Sequence, residues 1–170
     1  MGGRGFGQWD GVPMSFLMRM VLDSADTLNE AVAVFTDNKR TCEYYYVIAD
    51  AELNDAVGLK CVPEGVDIIH AGQSHELLPN PVKNTVLMSA GERYERLSQL
   101  VNDQYGKFTQ DSAIRLMDRP VAMKHNLHNV LMVPQDAIIY VANADPNGSP
   151  AWKQKYHKFN IRELMSSRPD

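Results

Sequence analysis

Cysteine is scarce in this sequence, with only Cys42 and Cys61 among 170 residues. Two are too few for the disulfide framework of a small secreted domain, and the count fits a reducing compartment, so the cytoplasm is the expected location. Long apolar runs are missing as well. Each falls far short of a bilayer span, and no basic stretch leads into an apolar one at the start, so neither a transmembrane helix nor a signal peptide is predicted. No membrane partner is expected. Nor is there an excess of positive charge: 17 Lys and Arg against 21 Asp and Glu give a formal charge of −4 and a pI of about 5.7. Phosphate backbones demand clustered Lys and Arg, and here the cations are scattered, which excludes nucleic acid as the main partner. Internal repeats and low-complexity segments are absent.

What is present is an apolar share of 44%, enough over this length to bury the core of one domain spanning residues 1–170. The chain is organised around Arg40–Asp50, in which Tyr44-Tyr45-Tyr46-Val47-Ile48 is aromatic and β-branched without a break. That composition predicts a strand, and the missing alternation predicts a central one covered on both faces. Cys42, Glu43 and Asp50 then fall at strand ends, where reactive groups meet solvent.

Around this strand the sequence alternates between helical and extended patterns. Gly11-Val12-Pro13 opens a helix with Phe16, Leu17, Met20 and Val21 on one face and Met14, Met18 and Met20 as core filler. Thr27-Leu28-Asn29-Glu30 has the form of a capping box for a second helix that buries Leu28, Ala31, Val32 and Phe35. Trp9 and Asp10 read either as a substrate wall and a cap or as ordinary packing. After the central strand, Ala56–Cys61 is its antiparallel partner and Val66–Ile69 a third strand. The loop Ala71–Pro81 is long and polar enough to be functional, and its two prolines keep it out of a sheet. An amphipathic helix follows, with Tyr94, Leu97, Leu100 and Val101 on one side, ending near Gly106. A shorter helix runs from a Thr109 cap towards Arg119-Pro120. Asn129–Val133 and Ala137–Ala142 form a hairpin about Pro134–Asp136, and a helical stub closes the chain near Ile161–Met165. The fold class is therefore α+β, antiparallel sheets covered by helices.

Gly11-Val12-Pro13, Arg19, Leu28–Ala31, the Tyr44–Asp50 and Ala56–Cys61 strands and Val130–Ala142, taken in order, resemble the C-terminal portion of one family. It is the acyl-coenzyme A:6-aminopenicillanic-acid acyltransferase-like (isopenicillin N acyltransferase) family of cysteine N-terminal-nucleophile hydrolases. The resemblance spans about Gly2 to Leu164 and implies part of an αββα sandwich. It implies an autoproteolytic acyltransferase or amide hydrolase acting on C–N amide or acyl thioester bonds, without a cofactor. The substrate would be a small amide or acyl compound. In that family a precursor cleaves before a cysteine, whose thiol attacks while its freed α-amino group takes the proton. An α-amine near pKa 7.7–8.0 does this at neutral pH far better than a lysine. The resemblance places that cysteine upstream of Met1, in a segment that would be this chain's partner. A fold that has lost its nucleophile and serves as a binding or structural domain is the alternative.

Relatives carry a Thr-Asn-His-like motif in the loop, whose asparagine donates to the oxyanion. The aligned residues here are Gln73-Ser74-His75, so Ser74 or the Gln73 amide inherits the role of donor and His75 that of substrate contact. Arg93 and Arg96 align with an arginine-rich segment that contacts substrate; the plain alternative is a solvated helix face. Three further chemistries are weaker. Met1–Gly7 is glycine-dense, but no strand precedes it and no Gly-Lys-Ser/Thr follows, so it reads as a turn in a chain that begins in mid-fold. Cys42 begins a strand, yet elements of the family's interior precede it, which favours an inert thiol. His125 and His128 lie three apart without a third ligand at metal spacing, so no metal site is expected.

Overall fold

Two antiparallel hairpin systems carry the chain, a computed structural model of which describes residues 7–167. Residues 1–6, most of the glycine-dense opening, lie outside that range. Among the described residues are five α-helices and two three-stranded antiparallel sheets, an α+β arrangement. None of these helices is long and apolar enough to cross a membrane. The contacts divide into two compact units, Met1–Tyr94 and Glu95–Asp170.

In the first unit, α1 (Met14–Ser24) starts directly after Pro13, whose fixed φ suits the entry to a helix. Helix α2 (Leu28–Asp37) starts at the capping box read from the sequence. The Thr27 hydroxyl accepts from the Glu30 amide, and Glu30 accepts from the amides of Asp26 and Thr27. Strands β1 (Tyr44–Asp50), β2 (Asp55–Val62) and β3 (Gly65–His70) follow as a meander in the order β1-β2-β3. The unbroken apolar run predicts a central strand; instead β1 is the edge and β2 the centre. Val47 is 53% exposed, so β1 is not covered on both faces. Tyrosine explains the difference, because its ring packs while its hydroxyl needs a polar partner. Alternate tyrosines of β1 accordingly serve opposite faces of the sheet.

Register fixes which residues share a face. Tyr44, Tyr46 and Ile48 stand opposite Cys61, Leu59 and Val57, and this layer packs with Leu17, Leu28 and Phe35 of the two helices. The Phe35 and Tyr46 rings lie 4.5 Å apart, centre to centre. On α1 only the Leu17 stripe is buried, whereas Phe16 is 64% exposed and Met18 and Met20 also face outward. Methionines expected in the core are therefore partly on the surface. The helix is apolar on nearly every side, so spacing alone could not pick the buried stripe.

Arg40 is the polar anchor of this unit. It is 6% exposed and donates to the Phe35 and Asn38 carbonyls at the end of α2 and to Val62 and Pro63 at the β2–β3 turn. Its backbone forms a parallel bridge with Val12. A Cβ on Gly11 would lie 2.6 Å from the Arg40 carbonyl carbon, so only glycine allows this crossing.

The second unit holds α4 (Gln110–Arg115), β4 (His128–Val133), β5 (Ile138–Asn143), β6 (His157–Asn160) and α5 (Ile161–Ser166), with sheet order β4-β5-β6. Helix α3 (Gly91–Asp103) spans the sequence boundary between the units. Thr109 caps α4 as predicted. The β4–β5 hairpin turns through Pro134–Asp136, and the sequence reading misses the four residues of β6.

Candidate functional site

The face of the first sheet away from α1 and α2 carries Tyr45, Lys60 and Asp67, aligned across the three strands by the pairings Tyr45–Lys60 and Lys60–Asp67. Over this face folds the loop after β3. Gly58 permits the approach: a Cβ there would lie 2.6 Å from the Met88 sulfur and 2.9 Å from Val86 Cγ1. Ile69, Leu78 and Tyr94 then form a small core with Leu87 and Met88, and the Tyr94 hydroxyl accepts from the Asn80 amide. These contacts hold the loop in place.

Between loop and sheet lies a cavity of about 220 Å³ lined by Glu43, Tyr45, Lys60, Ile69, His75, Leu77, Leu78 and Met88–Gly91. Its lining sets the apolar Ile69, Leu77, Leu78 and Met88 beside the polar side chains of Glu43, Tyr45, Lys60, His75 and Ser89. Lys60 Nζ stands 3.0 Å from Asp67 Oδ2, and His75 Nε2 reaches the same oxygen at 3.3 Å. The Lys60 ammonium, with His75 behind it, holds the Asp67 carboxyl below its usual range despite a counteracting desolvation. Glu43 and Tyr45 project on one face two residues apart, and the Tyr45 hydroxyl donates to Glu43 Oε1 at 2.7 Å.

Ser89 completes the lining. It is 7% exposed, and its hydroxyl oxygen is buried without a hydrogen-bond partner. An unpartnered buried hydroxyl costs roughly 1–3 kcal/mol. It sits two residues before the start of α3, where the first-turn amides and the helix dipole favour negative charge. Gly91 opens that helix with φ +54, a conformation that glycine tolerates best. The Ser89 hydroxyl, the start of α3 and the apolar side chains thus share one lining.

Of the residues proposed from sequence, His75 lines this cavity. Ser74 is exposed, and Gln73 is exposed with Oε1 accepting from the His70 amide; neither lines it. Trp9, 88% exposed, is outside the lining, and Asp10 pairs with Lys39 at 2.6 Å rather than capping α1. Arg93 and Arg96 are half-buried on α3 and neither is a lining residue; Arg96 donates to Gln99. Ser89, Lys60 and Tyr45 escape a sequence reading. Their only signal is the position of Ser89 ahead of a helix and the cross-strand pairing of the other two, which appears once the register is known.

The remaining reactive groups have structural surroundings. Cys61 is 1% exposed and burial pushes its thiol up to about 11, with Arg40 opposing. Cys42 is half-buried, and neither thiol lines the cavity. The Asp50 carboxylate accepts from the Leu53, Glu52 and Leu28 amides, which hold its pKa down and tie the β1–β2 turn to the start of α2. His125 and His128 are exposed, and His128 Nδ1 lies 2.8 Å from Asn143 Oδ1. Among the described residues no three His, Cys, Asp or Glu side chains group to hold a metal ion.

In comparisons with known proteins, the family model described as acyl-coenzyme A:6-aminopenicillanic acid acyl-transferase matches residues 7–147. No curated protein matches the chain.

Proposed function

The chain belongs to the acyl-coenzyme A:6-aminopenicillanic acid acyl-transferase family, and from that premise we propose that it is part of an enzyme transferring acyl groups at the cavity beside Ser89. The bond broken is a C–N amide or an acyl thioester. The nucleophile is a cysteine thiol outside this chain, exposed by self-cleavage of a precursor, and the αββα layering supplies the frame. The state of the chain's own thiols supports this: Cys61 is buried and hard to ionise, and Cys42 is not in the cavity lining.

The chemistry follows in two balanced steps. The thiol sulfur bonds to the acyl carbon while its proton passes to the α-amino group of the same cysteine. The carbonyl oxygen gains negative charge in the tetrahedral intermediate, and the Ser89 hydroxyl with the positive end of α3 receives it. When the intermediate collapses, the C–N or C–S bond breaks and the leaving group takes the proton. Water or a second nucleophile then releases the acyl group and regenerates the thiol. Ser89 replaces Ser74 and Gln73 as the donor in this reading, and its buried, unpartnered oxygen is the observation that carries it.

A butyryl thioester tests the proposal. The protein is expressed together with the coding sequence upstream of Met1, quenched in acid during turnover, and mapped by mass spectrometry. A butyryl group on an amino-terminal cysteine is expected; an adduct on Cys42 or Cys61 contradicts the proposal.

A further inference from the structure

We propose that Asn147 is a site of self-modification, losing its side-chain amide to attack by the Gly148 backbone nitrogen, and that a clasp made by Asp145 sets the rate. The sequence holds one asparagine–glycine pair, and it lies in the turn 145–149 on the way from β5 to β6. Both residues are exposed. The residue after an asparagine shields its own amide nitrogen with its side chain, and Gly148 has none. Even an added Cβ there would meet nothing within 4 Å, so no neighbour crowds the nitrogen. The φ of Gly148 is +89, a conformation that other residues rarely adopt.

The covalent change balances with water alone. The Gly148 N–H gives its proton to hydroxide, and the nitrogen bonds to the side-chain carbonyl carbon of Asn147. The bond from that carbon to its amide nitrogen breaks, and ammonia leaves with a proton from water. The five-membered imide takes up one water at either carbonyl and opens to an aspartyl or isoaspartyl residue at position 147. Nothing is oxidised or reduced. One negative charge is gained, and the isoaspartyl form also carries the main chain through an extra methylene.

The folded turn opposes the first step. Asp145 Oδ1 accepts from the Asn147 amide at 2.8 Å and from the Ser149 amide at 3.0 Å, the two that flank Gly148. That carboxylate disfavours negative charge on the nitrogen between them. The Gly148 N–H is itself engaged, donating to the Asp145 carbonyl at 3.1 Å, and the Asp145 amide donates to the Ser149 carbonyl at 3.0 Å. Gln154 ties the turn to the chain ahead of β6, donating to Asp145 Oδ2 and the Ser149 carbonyl. Conversion undoes this clasp. The extra methylene shifts the Ser149 amide away from Asp145, and the new carboxylate repels the old one.

The full-length chain, Asp145→Ala and Asp145→Asn are held at mildly alkaline pH, and peptide mapping separates the asparaginyl, aspartyl and isoaspartyl forms. Asn147 is expected to convert before every other asparagine, about tenfold faster per pH unit because the attacking nitrogen must be deprotonated. Asp145→Ala should convert at least about fivefold faster than the folded parent and approach the rate of the parent unfolded in urea. Asp145→Asn, which keeps the acceptors and removes the charge, should fall between. In converted protein the Asp145 carboxyl, held low chiefly by the Ser149 amide, should return towards its ordinary range by NMR titration. Earlier conversion of another asparagine, such as Asn54 ahead of Asp55, would overturn the site. A folded parent that converts as fast as in urea, or an unchanged rate in both Asp145 variants, would overturn the clasp.

Discussion

Replacing Arg40 should unfold the first unit more readily than any other single charge change in it. The guanidinium is 6% exposed and donates to four carbonyls in two places: Phe35 and Asn38 at the end of α2, Val62 and Pro63 at the β2–β3 turn. The Val62 and Asn38 bonds are short, at 2.7 and 2.6 Å, while the Pro63 contact at 3.5 Å adds little. Each good bond to a charged donor contributes roughly 1.5–3 kcal/mol, and the cation also complements the negative end of α2 by about 0.5 kcal/mol. The bonds share one side chain and some freed carbonyls regain water, so the terms do not simply add. Arg40→Ala should therefore cost about 3–5 kcal/mol. Arg40→Lys keeps the charge but not the fork and should cost about 2 kcal/mol. With a urea m-value of about 2 kcal/mol/M, the alanine variant moves the midpoint down by about 2 M in far-UV circular dichroism. Arg19→Ala is the control, since Arg19 pairs with Asp23 at 2.7 Å on the surface and should shift stability by less than about 0.5 kcal/mol. If Arg40→Ala stays within about 1 kcal/mol of the parent, the anchoring role is refuted.

Further outcomes follow from the cavity and its surroundings. Gly58→Ala should destabilise by about 1–3 kcal/mol, since Met88 can swing aside but the branched Val86 side chain, 2.9 Å from the new carbon, cannot easily do so; a urea midpoint equal to the parent's would contradict this. Asp67 titrates lower when folded than its ordinary 3.8, chiefly through Lys60. Its stabilising effect is thus present above that unfolded value and lost as pH falls through the folded one. Asp67→Asn should flatten the acid limb of stability between about pH 5 and 2, measured as urea midpoints, while an unaltered limb would count against the pairing. In the native protein iodoacetamide should alkylate Cys42 well before Cys61, whose thiol is buried and raised to about 11. Peptide mapping that finds Cys61 labelled first would reverse that order.

The parts of the fold governed by local chemistry could be read from the sequence. The capping boxes at Thr27 and Thr109, the β1–β2–β3 meander and the hairpin about Pro134–Asp136 all depend on residues close together in the chain. What resisted reading depends on distant neighbours. The run Tyr44–Ile48 has the composition of a covered strand, and only the pairing shows that Tyr44 and Tyr46 meet helices while Tyr45 faces the loop side with Lys60. Strand β6 is four residues long and takes its place through pairing with β5. Likewise, His75 could be chosen from its loop, but Ser89 is an ordinary serine until the loop folds back and buries its hydroxyl. Lys60, Asp67 and His75 come together across two strands and a loop, a grouping no local spacing encodes.

The most direct measurement is steady-state thioester turnover by Ser89→Ala, set beside that of the parent protein. If Ser89 receives the developing negative charge, kcat should fall by about 10²–10³ with little change in KM, because the bond strengthens only in the transition state. Turnover within about twofold of the parent, in a variant of unchanged circular dichroism, would place the acyl oxygen elsewhere.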